Sequence, residues 1–167
     1  MKSVNPSKSA GISLVELIIT LSILSILASV ILPSAQLISK RNKEIELRRN
    51  LRIIRMAIDD FKKTYEKGVD EKKIIPSMNK SGYPETLDQL VEGHDFGGFL
   101  PEKKKFLRRV PLDPFSDKKM AESPEWGWGV RSYADKPDST IWGREDVYDV
   151  YSQSDGIAID GTEYKDW

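Results

Sequence analysis

Residues 12–32 form an apolar run broken by one charged side chain, Glu16, and by the small hydroxyl residues Ser13, Thr20, Ser22, Ser25 and Ser29. At 1.5 Å per residue, a helix of about 21 residues rises roughly 31 Å, enough for one bilayer crossing. Pro33 follows the run; it lacks a backbone donor and clashes with the carbonyl four residues back, so a helix kink is expected there. Beyond it the period changes purpose. Leu47, Leu51, Ile54, Ile58, Phe61 and Tyr65 recur at spacings of four and three, an apolar stripe on an otherwise charged helix that calls for a domain packed along it. The opposite face carries Lys43, Glu46, Arg49, Arg52, Asp59, Asp60 and Lys63 and reads as solvated.

This helix is expected to end between Glu66 and Gly68, with Gly68 as its stop, and residues 69–82 read as a charged loop. Pro84 opens a short helix with Leu87, Leu90 and Val91 on one side and Gly93 as terminator. Aromatic and β-branched residues in partial alternation predict antiparallel strands at 127–134 and 147–153, with a turn at 136–145 that exposes Trp142. The pattern predicts an α+β fold: a long N-terminal α-helix, transmembrane over one half and amphipathic over the other. That helix is read as packing against a small C-terminal domain of short helices and a three-stranded antiparallel sheet, of which the pattern itself places two strands.

The chain has 167 residues, 31% charged and 39% hydrophobic, with a formal net charge of +0. This suits one anchored segment and one small domain, and it removes the electrostatic basis for nucleic-acid binding. The absence of cysteine excludes disulfides and thiolate metal sites, and a single histidine, His94, argues against zinc. There is no Gly-rich phosphate loop, no nucleophile with a plausible histidine partner and no acid pair suited to proton transfer, so an enzyme is not expected. The late cluster of tryptophan and tyrosine reads as cover for a thin sheet, since aromatics bury large areas.

Glu16 stands out chemically. An ionised side chain in hydrocarbon costs roughly 2.5–3.5 kcal/mol on insertion scales and marks a functional position by default. Residues 12–32 contain no Lys, Arg or His, so a positive partner must come from elsewhere. Cutting the chain between Gly11 and Ile12 would give every copy a new α-amino group four residues before its own Glu16. Counting basic residues gives a conflicting orientation, because Lys40, Arg41, Lys43, Arg48 and Arg49 follow the span while only Lys2, Lys8 and the initiator amine precede it.

Lys2, Lys8, Gly11, Ile12, Ser13, Leu14, Val15 and Glu16, opening the long apolar stretch, resemble the processing site of type IV pilins and type II secretion pseudopilins. The resemblance implies cleavage after Gly11 by an inner-membrane prepilin peptidase and N-methylation of Ile12, which stands where phenylalanine is commoner. It implies a leader at 1–11, a transmembrane and assembly helix at 12–33 with Pro33 at the family's helix-softening position, an amphipathic helix at 34–66 and a periplasmic domain at 67–167. Tyr83, Pro84, Thr86, Leu87 and Leu90, and then Val110, Pro111, Leu112, Asp113, Pro114 and Phe115, are similar to segments of the major pseudopilins of type II secretion. Residues 116–125 depart from that pattern, which runs directly into a glycine-asparagine turn. A single-pass inner-membrane protein is thereby implied, one that polymerises with itself, and with minor pseudopilins, on an assembly platform with its ATPase. The resulting periplasmic pseudopilus promotes export of folded proteins across the outer membrane. A minor pseudopilin or type IV pilin is the near alternative, and a signal-anchored periplasmic enzyme is the alternative of another class.

At the C-terminal end Asp149, Asp155, Asp160, Glu163 and Asp166 crowd a segment with Gly156 and Gly161. Hard oxygen donors in a glycine-containing loop suit calcium, although the spacing is not that of an EF-hand and a solvated acidic turn is the plainer reading of the residues alone. Asp149, Val150, Tyr151, Ser152, Asp155 and Gly156, with Trp167, resemble the calcium-binding end of the major pseudopilins. The resemblance implies the Gln153 backbone carbonyl, Asp155 and Glu163 as ligands, with Asp160 as a substitute.

Overall fold

The computed structural model describes residues 11–75, 81–116 and 126–167, without the side chains of residues 30, 32 and 33. The expected leader at 1–11, apart from Gly11, and residues 117–125 lie outside these. Two compact units divide the chain, Met1–Lys40 and Arg41–Trp167, and helix α1 (Leu14–Asp70) contributes to both.

Within the first unit α1 presents apolar side chains on every side; Leu14 is 73% exposed, and Ile18, Leu21, Leu24 and Leu27 are also exposed. It is long and apolar enough to cross a membrane. The hydroxyls of Thr20, Ser22, Ser25 and Ser29 donate to the carbonyls of Leu17, Ile18, Leu21 and Ile26 at 2.7–2.9 Å. These four hydroxyls are satisfied without water, as hydrocarbon requires. The helix continues through Pro33, whose ring is not among the described side chains.

In the second unit the expected stripe is the core. Leu47, Leu51, Ile54, Ile58 and Phe61 are buried, together with Leu87, Leu90, Phe96, Val110, Trp128, Val130, Val147, Val150, Ala158 and Tyr164; Tyr65 packs at the margin. The helix does not stop at Gly68 but reaches Asp70. Its terminator is Lys72, held at φ 56°. The Lys73 N–H donates to the Gly68 carbonyl and the Lys72 N–H to the Val69 carbonyl, the paired bonds of a Schellman end. Gly68 serves close approach instead: a Cβ there would collide with the Ile74 side chain folded back over the last turn.

Helix α2 (Asp88–Glu92) starts later than Pro84 and ends at Gly93, whose φ of 90° suits glycine. The sheet has two strands among the described residues, β1 (Trp128–Arg131) and β2 (Asp149–Ser152), rather than three. Pairing is antiparallel, with Trp128 opposite Ser152 and Gly129 opposite Tyr151. The Tyr151 ring lies over Gly129, so that any Cβ at 129 would strike it. Both strands are shorter than expected because Ser132, Asp135 and Asp146 close a side-chain-bonded turn after β1. Where a third strand would run, Ile157 and Glu163 make one isolated bridge around the Asp160–Gly161 turn. Trp142, expected exposed, is half-buried and donates its indole N–H to the Asp146 carbonyl at 2.8 Å.

Candidate functional site

The bond between Gly11 and Ile12 lies before the helix, in chain without regular structure, and both residues are exposed. Leu14 opens α1, and the first backbone bond joins the Leu17 N–H to the Ser13 carbonyl. Glu16 therefore sits in the first turn, where unpaired N–H groups and the helix dipole favour an anion. Its side chain is exposed, and among the described residues no cation or hydrogen-bond donor engages it. The geometry offers an accessible bond to a peptidase and, one turn on, a carboxylate available to a group from outside the chain.

The C-terminal residues implied as calcium ligands sit differently. Asp160 Oδ1 accepts from the Thr162 N–H at 3.0 Å and from its hydroxyl at 2.6 Å, while Oδ2 meets Arg48 Nη2 at 2.9 Å. The Thr162 bonds, with Arg48 adding to them, hold the Asp160 carboxyl below the usual carboxylate range. Glu163 pairs with Lys165 at 2.5 Å, which raises the lysine above its ordinary value. Asp155 is exposed, and Gln153, whose backbone carbonyl is the implied ligand, is exposed too, its side-chain amide donating to the Trp128 carbonyl. Among the described residues no three acidic or histidine side chains converge as a metal site. Calcium takes six to eight oxygen ligands, and the donors as arranged here do not fit it.

What fastens this loop was not anticipated. Glu44 is buried, 9% exposed, and its Oε1 accepts from both the Ile159 N–H and the Tyr164 hydroxyl at 2.9 Å. Burial, and then the bond to Glu44, push the Tyr164 hydroxyl up to about 12. Arg48 stacks its guanidinium 3.9 Å above the Trp167 ring. Arg55 Nε pairs with Asp149 at 2.7 Å, and its Nη2 donates to the Val150 and Trp167 carbonyls. A sequence signal existed: Glu44 lies three residues before Leu47 on the apolar stripe, so its carboxylate had to meet donors in the core. Asp113 is likewise buried; it accepts from the Phe115 N–H and, at 2.5 Å, from the Ser152 hydroxyl.

No curated protein and no solved structure matches the chain. Residues 6–32 match the prokaryotic N-terminal methylation motif, the same segment that holds Gly11, Ile12 and Glu16. The match implies processing by a prepilin peptidase and membrane-associated, pilus-like assembly, and it supports the type IV pilin-like class, pilin or pseudopilin.

Proposed function

We propose that this chain is the structural subunit of a type II secretion pseudopilus, processed after Gly11, methylated on Ile12 and held in the bacterial inner membrane until assembly. One observation carries the reading: a lone carboxylate, Glu16, stands one turn from the matched processing site on a helix whose apolar side chains are exposed all round. Such a helix suits lipid before assembly and neighbouring helices afterwards. Glu16 of an incoming subunit attracts the new amine of Ile12 on the subunit at the growing end, and this pairing sets the axial step. Opposite charges attract more strongly in a low dielectric than in water, although desolvation offsets much of the gain. Residues 12–32 then exchange lipid for one another, an exchange driven by packing. An inner-membrane platform and its ATPase supply the work of extraction, minor pseudopilins join the fibre, and the growing pseudopilus moves folded cargo toward an outer-membrane channel. The role is structural, with no reaction at the subunit itself.

The test is the N-terminus of the mature protein, read by sequencing and intact mass. A chain beginning at methylated Ile12 supports the reading; an intact Met1, or a cut after residue 20, removes it. Fibre location divides the finer alternatives: a polymer confined to the periplasm fits a pseudopilus, whereas one sheared from the cell surface fits a type IV pilus.

A further inference from the structure

The acidic C-terminal segment carries charges that a bound cation would have to balance, and Asp149, Asp160 and Glu163 already have cationic partners within the chain. Arg48 and Lys165 sit on Asp160 and Glu163, and the remaining Asp160 lone pairs point to Thr162. A calcium ion would have to break both pairs before either carboxylate could coordinate it.

The loop is fastened at three points by one row of α1. Glu44, Arg48 and Arg55 are spaced four and seven apart, which places them on one helical face. Glu44 takes the Ile159 N–H and the Tyr164 hydroxyl. Arg48 takes Asp160 and the face of Trp167. Arg55 takes Asp149 and the carbonyls of Val150 and Trp167. Within the loop, Trp167 Nε1 donates to the Thr162 hydroxyl at 2.7 Å, and Tyr164 stacks on Phe115 with ring centroids 4.2 Å apart. Two tasks of a structural ion, neutralising Asp160 and Glu163 and joining distant backbone points, are thus met by protein groups.

We propose that Glu44, Arg48 and Arg55 form a helix-borne clasp that takes the place of a structural calcium ion, so that the C-terminal loop folds without metal. This holds whichever fibre the subunit builds. It sets the chain apart from the calcium-bound end implied by the resemblance, and it makes the subunit's stability independent of free calcium.

The experiment uses the full chain in detergent, following tryptophan fluorescence on heating, with added calcium and with a chelator. The two midpoints are expected to coincide, and equilibrium dialysis with calcium alone is expected to show no stoichiometric uptake. Glu44→Gln and Arg48→Ala should each lower the midpoint by about 5 °C, equally with and without calcium. A calcium-dependent rise in the parent that Asp155→Asn or Glu163→Gln abolishes would overturn the proposal. So would midpoints left unchanged by both clasp substitutions. The parent's calcium titration stands even where a clasp variant fails to fold.

Discussion

Glu16 and Glu44 are carboxylates on the same helix, each on an apolar surface, and they meet opposite fates. In the first unit Glu16 is exposed among side chains that face outward in every direction, and no described residue answers it. In the second unit Glu44 lies on a single buried stripe and is answered twice, by Ile159 and Tyr164. A buried acid is costly until donors meet it. The second unit settles that cost within the chain; in the first, no described residue meets the carboxylate. One helix thus carries a finished interaction and an open one, and the open one is the carboxylate on which the proposed assembly step rests.

The comparison breaks first at Glu16. Glu16→Ala should abolish polymer recovered by sedimentation from cells while leaving the fluorescence-monitored midpoint of the second unit unchanged. A variant that polymerises like the parent would remove the electrostatic step. Next comes the core, where Ile54→Ala deletes a fully buried side chain and should cost about 2–5 kcal/mol in denaturant unfolding. Ile23→Ala, in the first unit, should leave that measurement unchanged.

The answered acid has a pH signature. Tyr164 holds its proton more tightly folded than unfolded, from an ordinary 10.0 up to about 12. The associated stability is fully present below pH 10 and is lost as pH rises through about 12, on the order of 2 kcal/mol. Denaturation midpoints across that window should show the loss, and Glu44→Gln should reduce it. Asp113→Ala, which orphans the Ser152 hydroxyl and the Phe115 N–H, should cost about 1–3 kcal/mol. The smallest effect belongs to Asp60→Ala, which breaks an exposed pair with Lys63 at 3.6 Å and should change stability by less than about 1 kcal/mol.

The stripe from Leu47 to Phe61 was legible in the sequence because it is periodic and local, and the motif around Gly11 because its chemistry is unusual. The helix end was misread because Gly68 carries two meanings. It is a common terminator, yet here its missing Cβ admits Ile74, and Lys72 takes the left-handed position. The clasp was illegible for another reason: Glu44 and Tyr164 are 120 residues apart, and nothing local in the acidic segment says that Arg48 will reach it. Periodicity reports which face is buried. It does not report which distant side chain arrives there.

The bare position in β1 has an evolutionary consequence. Because the Tyr151 phenol covers Gly129, neither residue is free to drift alone: a larger residue at 129 evicts the ring, and a smaller one at 151 uncovers the strand and the Arg131 guanidinium stacked 4.0 Å from that ring. In descendants of this chain the two positions should change together or stay as they are.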